Sequence, residues 1–255
     1  MDSRQKRYED LCHRVQIDYE ARDRNLKGLK MRGCKECKEI NLWTYWQGRG
    51  NMHPKLLLVG QDWWNLEDKY AKDILKNVKA INSGATYNCN EGMNPSCKTD
   101  ENLIELFASL NCGYDDIFHK SYDDLFFTNI CLGYRSKGAS GGLKAEFINR
   151  DIGYFMDLVS ILEPKVIICL GKETFKGVMR SFGISCNLDK VSYNNFISQN
   201  NPQSIVLENG SIVQVFAMAH CGAIGTMNRN RGALVGKDKL ILQKKDWSAV
   251  KEYLI

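Results

Sequence analysis

The stretch Lys55-Leu56-Leu57-Leu58-Val59-Gly60-Gln61-Asp62-Trp63-Trp64-Asn65 constrains this chain more than any other. Four consecutive apolar residues closed by a glycine read as a strand buried on both faces, the mark of a parallel sheet covered by helices. In open α/β sheets, ligands bind in the crevice beyond the carboxyl ends of the strands. Gln61 and Asp62 stand at that end, beside two indoles. A carboxylate there is placed for chemistry on a flat, ring-shaped substrate. The plainer reading is that Asp62 caps the next helix.

Three further runs share the pattern: Leu125-Phe126-Phe127-Thr128-Asn129-Ile130, residues 165–170 and residues 212–219. Helical spacing falls between them. Leu66, Tyr70, Ile74 and Val78 mark a helix over 66–82, and further helices are expected at 101–110, 145–162 and 172–181, with a closing helix at the C-terminus. Strand and helix alternate throughout, with no internal repeat and no linker. The pattern predicts one α/β domain over 1–255, a three-layer α/β/α sandwich with a central four-stranded parallel sheet. Residues 1–33 are expected to form a helical extension. Its apolar stripe is Tyr8, Leu11, Val15 and Tyr19, and Ile17 falls off that stripe. Residues 83–99 are rich in Gly, Asn and Ser without periodicity, which predicts a long loop, functional or disordered.

Composition narrows the setting. The chain has 255 residues and a formal charge of +5, which permits a nucleic-acid partner without requiring one. No apolar run approaches the roughly 20 residues of a membrane span, and the N-terminus lacks the apolar core of a signal peptide. Cytoplasmic residence is the expectation. Ten scattered cysteines are expected to be reduced thiols, several of them in the core.

Each strand ends in a residue suited to chemistry: Asp62, Asn129, Lys172 and His220. All four loops should project from one edge of the sheet. The ordered set Gly60-Gln61-Asp62, Phe127-Thr128-Asn129, Leu170-Gly171-Lys172-Glu173, and His220 before a Gly/Arg/Asn-rich turn resembles the uracil-DNA glycosylase superfamily over roughly residues 34–232. The resemblance implies that family's sheet between helices. It also implies hydrolysis of the N-glycosidic bond of a flipped-out uracil or modified pyrimidine, leaving an abasic site. Asp62 would orient or deprotonate the attacking water and stabilise an oxocarbenium-like transition state. His220 would donate to the O2 of the departing base. Asn129 would read the base edge, and Gln61 would help form the pocket. A paired base cannot reach such a pocket, so it must be flipped. Ile224 or Met227 would fill the vacated stack. Arg229, Arg231, Arg135, Lys137, and Lys172 with the N–H groups following Gly171, would hold phosphates.

Several positions depart from the family. Trp63 and Trp64 stand where its best-known branch has Pro and Tyr, Asn65 replaces a His, and His220 is followed by Cys221-Gly222. The base-stacking aromatic is expected to be Tyr87 or Phe127. A remodelled pocket would suit a bulky base such as a hypermodified phage cytosine, so repair and defence against phage are both open. Cys34, Cys37 and Cys131 match three of the four ligands of the superfamily's iron–sulfur branch. The fourth is expected near Asp151, where there is no cysteine. Cys89, Cys97 or Cys112 would have to substitute, or His53 for zinc. The expected state is metal-free and without cofactor. The expected enzyme is a monofunctional, monomeric DNA glycosylase with no obligate protein partner and no membrane contact. The competing readings are a catalytically weak nucleic-acid-binding or sensing protein, and an unrelated α/β nucleotide-binding enzyme. Against the latter, no Gly-x-Gly-x-x-Gly or Walker-type loop follows the first strand.

Overall fold

The structure, a computed structural model, describes residues 3–21, 24–26, 29–32, 52–62, 98–110, 124–132, 134–135, 145–186, 188, 190–233 and 238–255. Helix α1 (Ser3–Ala21) leads into strands β1 (Arg24–Leu26), β2 (Leu29–Arg32) and β3 (Leu56–Gly60). Then come α2 (Lys98–Ala108), β4 (Leu125–Asn129), β5 (Tyr134–Arg135) and α3 (Ala145–Leu162). The rest is β6 (Val166–Leu170), α4 (Lys172–Ser181), α5 (Tyr193–Asn200), β7 (Gln203–Val206), β8 (Ile212–Met218), α6 (Ala223–Asn230) and α7 (Ile241–Ser248).

The four apolar runs lie side by side. The main sheet has the order β4-β3-β6-β8-β7, and its first four strands are parallel. Alternation along each strand divides the side chains between two cores. Leu57, Val59, Phe126, Ile167, Cys169 and Val215 face α1, α3 and α4. Leu56, Leu58, Leu125, Ile168 and Phe216 face α2 and Trp247 of α7. Every residue of β3 and β6 is buried, which explains why both read as unbroken apolar runs. The α/β layering expected from the sequence is present.

Two expectations need correction. The sheet has five strands, because β7 adds antiparallel to β8 at the edge. The stretch before it, rich in Asn and Ser, folds into α5, capped by Ser192, which accepts from the Asn195 N–H. A tight turn then reverses the chain. Gly210 closes it at φ 82°, a conformation that suits glycine. The N-terminal extension is also not helical throughout. After α1, strands β1 and β2 form a hairpin whose second strand pairs with β5, matching Met31 to Arg135 and Arg32 to Tyr134. Arg135 therefore lies on a strand.

Helix α1 behaves as its stripe predicts. Tyr8, Leu11 and Val15 are buried in the core while Ile17 faces out. Arg4 bridges to Glu163 and donates to the carbonyls of Met52 and Leu162, pinning α1 across the end of α3. Cys131, Cys169 and Cys221 are buried in the apolar cores. Among the described residues no helix is long and apolar enough to cross a membrane. The helix expected over 66–82 and the loop at 83–97 lie outside the described residues, while Lys98 and Thr99 of that loop already belong to α2.

Candidate active site

Sequence order reverses once in the parallel strands. From β3 the chain moves to β4 on one side, and later from β6 to β8 on the other. The crevice at such a switch point opens between the carboxyl ends of β3 and β6. Gln61 and Asp62 follow β3, Gly171 follows β6, and Asn129 and His220 flank them from β4 and β8.

Asn129 ends β4 opposite Gly60, its register partner on β3. Only 3% of it is exposed. The amide lies directly over Gly60, so a Cβ at position 60 would collide with Asn129 Oδ1. The glycine that ends the first core strand is thus needed for close approach, not for a turn. Phe127, two residues earlier on the same face, packs partly buried beside Gly60.

His220 follows β8 and is largely buried. Its Nδ1 accepts from the Gly222 backbone N–H at 2.9 Å. In the neutral ring the proton must then sit on Nε2, which becomes a donor. Burial pushes the imidazole below its ordinary pKa, and the negative charge of Asp62 pulls it back up. The lowered pKa favours the neutral ring, against the opposing charge of Asp62. Gly171 passes closely behind, where a Cβ would come within 3.7 Å of His220 Cβ. The Gly171 N–H is occupied by the Met218 carbonyl at 2.8 Å. The Gly171 N–H is therefore not open to an anion at the start of α4, and Lys172, the first residue of that helix, is half-buried.

Helix α6 follows immediately. Gly225 presses on the His220 carbonyl so closely that any side chain there would displace it. Ile224 and Met227, one turn apart, are 73% and 56% exposed. Large apolar side chains standing in solvent on one helix face fit insertion into an apolar or stacked partner. Arg231 is exposed just beyond the helix. Arg229 is not, and its expected phosphate role is corrected. It is 8% exposed and makes a bidentate pair with Asp246 of α7 at 2.6 and 2.7 Å. It also donates to the Asn194 carbonyl and Ser198 Oγ of α5. Arg229 locks α6 to its neighbours instead of reaching solvent. Burial raises the Asp246 carboxyl above its ordinary range despite the guanidinium.

A groove of about 970 Å³ lies between α2, α6 and residues 238–244, lined among others by Glu105, Met227, Arg231 and Lys244. None of Asp62, Asn129 and His220 lines it. Lys244 there bridges Glu105 at 2.8 Å and Asp238 at 3.0 Å.

Trp63, Trp64, Tyr87, Lys137, Cys34 and Cys37 lie outside the described residues, as does the side chain of Arg135. Cys131 is buried in the core. The nearby Asp151 carboxylate accepts from the Leu132 N–H at 2.9 Å, so the place expected for a fourth ligand holds an acid that fastens the backbone. No cluster of three or more metal-ligating side chains occurs among the described residues.

Sequence reasoning missed Asn102 and Gln243, both buried and both bonded to the His220 turn. A faint signal existed for the first: Asn102 interrupts the apolar face that Leu103, Leu106 and Phe107 form on α2. No protein-family model matches the chain, and no curated protein matches it.

Proposed function

We propose that the protein is a monofunctional DNA glycosylase acting on a flipped-out pyrimidine, uracil or a modified base. The observation that carries this reading is the pairing at the switch point. Asp62 follows β3, and His220 follows β8 with its Nδ1 taken by the Gly222 N–H, which leaves Nε2 to carry the proton of the neutral ring. A glycosidase-type step needs both. As the bond from C1′ to the base nitrogen breaks, positive charge develops on the sugar and negative charge on the base. Asp62 stabilises the first and takes a proton from the water that adds to C1′. His220 Nε2–H donates to the base oxygen that accumulates the second, a role only the neutral ring performs without delivering a full charge. Asn129 supplies a buried amide that can both donate and accept, the pattern a pyrimidine edge requires.

DNA engagement rests on α6. Ile224 and Met227 are exposed wedge side chains beside His220, able to fill the space that a flipped nucleotide leaves. Arg231 and Lys172 are placed to contact flanking phosphates. The likeness of these motifs to the uracil-DNA glycosylase superfamily supports the same assignment.

The test is parallel incubation of the protein with uracil-containing DNA and with DNA carrying bulky modified cytosines, scored for alkali-labile sites. Strand breaks at one substrate, abolished by Asp62→Asn and by His220→Ala, support the reading and set the specificity. DNA binding without breaks at either substrate, unaffected by Asp62→Asn, would replace it with a binding or sensing function.

A further inference from the structure

Strand β8 ends at Met218, and the next three carbonyls have left the sheet ladder. Buried carbonyls left unbonded cost about 1–3 kcal/mol each, so their partners are informative. Two amides from separate helices supply them, and the Thr226 hydroxyl adds a second bond to the Cys221 carbonyl at 3.2 Å. Asn102 of α2, 1% exposed, donates Nδ2 to the Cys221 carbonyl at 2.6 Å and to Thr226 Oγ1 at 3.1 Å. Gln243 of α7, equally buried, directs Nε2 between the Ala219 and His220 carbonyls, both at 3.4 Å. Its Oε1 accepts from Asn230 at 3.1 Å, and Asn230 also donates to the Thr226 carbonyl at 2.8 Å. Thr226 and Asn230 both belong to α6. The turn bearing His220 and the helix bearing the exposed wedge are therefore held in one set of buried hydrogen bonds.

A leucine at 102 or a methionine at 243 would bury a side chain of similar length without a polar group. Burying an amide instead costs free energy unless its bonds do something packing cannot. What they do here is fix the backbone from Ala219 to Cys221, from which the imidazole and its Gly222 partner project.

We propose that Asn102 and Gln243 are positioning residues that set the orientation of the His220 ring and tie it to α6. The proposal rests on the glycosylase reading only for its catalytic consequence. Asn102, with the shorter bond, carries the larger share.

Asn102→Leu and Gln243→Met remove the donors while keeping a side chain of similar length. Long-range ¹H–¹⁵N spectra of the ring at pH 7.5 report which nitrogen is protonated. Wild type should show a single form with the proton on Nε2, and Asn102→Leu a mixture of the two neutral forms. On whichever base the wild type releases, kcat should fall about 100-fold in Asn102→Leu, the scale expected for a small misplacement of a catalytic group. Affinity for the same DNA should hold. Gln243→Met should show the same pattern more weakly and serves should Asn102→Leu not fold. Leu103→Ala, which loosens α2 without touching the turn, is the control. A wild-type ring spectrum in both positioning variants, or an equal kcat loss in Leu103→Ala, overturns the proposal. If the wild type releases no base, the glycosylase reading falls, and the ring spectra alone still decide this one.

Discussion

His220 concentrates the chemistry into one proton. Its Nδ1 is taken by the Gly222 N–H, so protonating the ring means breaking that bond and placing a charge in a buried site. The pKa depression has a defined consequence for stability. A histidine with a folded pKa below its unfolded value binds its proton more readily when unfolded, so stability rises with pH across that interval and levels off above about pH 6.5. Denaturant midpoints measured from pH 5 to pH 8 should therefore fall on the acid side, and His220→Gln should flatten that slope. Base release should decline over the same acid range as the ring charges. At Gly60 the expectation is steric. Gly60→Ala must push Asn129 off the strand end, so base release should drop by about 10-fold or more, the scale of a displaced contact group. Melting should shift less than for a core truncation, because no apolar side chain is lost.

Among the elements, α6 joins the two halves of the site. Its two arginines look alike in sequence and behave oppositely in the fold. Arg229 is buried and bidentate to Asp246, so Arg229→Gln leaves a buried carboxylate unpaired and should destabilise the protein by about 3 kcal/mol, read by urea denaturation. Arg231 is exposed. Arg231→Gln should leave stability unchanged and reduce the slope of log K for DNA binding against log salt by about 1. Spacing alone could not separate them, because the acid that claims Arg229 lies on a different helix. The same limit hid Asn102 and Gln243, whose partner carbonyls are 119 and 23 residues away. Helix α5 escaped for another reason. Tyr193-Asn194-Asn195-Phe196-Ile197-Ser198 has weak intrinsic helix preference, and α5 is held by its Ser192 cap and by the packing of Phe196 and Ile197 on the core.

For the whole molecule, the parallel sheet was legible because strands buried on both faces must be apolar at every position. Leu56–Val59 and Val166–Leu170 leave no other solution. The fifth strand was not, because β7 is four residues long at an edge with only Ile205 buried. Asp62, Asn129 and His220 could be picked out because each directly follows such a run, and the sheet order then brings them to one crevice. The central claim is that this crevice breaks a glycosidic bond. Its most direct measurement is single-turnover release of free base, identified by mass, from DNA containing uracil or bulky modified cytosine. The account predicts stoichiometric release of one base with an intact sugar–phosphate strand, slowed about 100- to 1,000-fold by Asp62→Asn. Release at the same rate from wild type and Asp62→Asn, or no release from DNA that the protein binds, would contradict it.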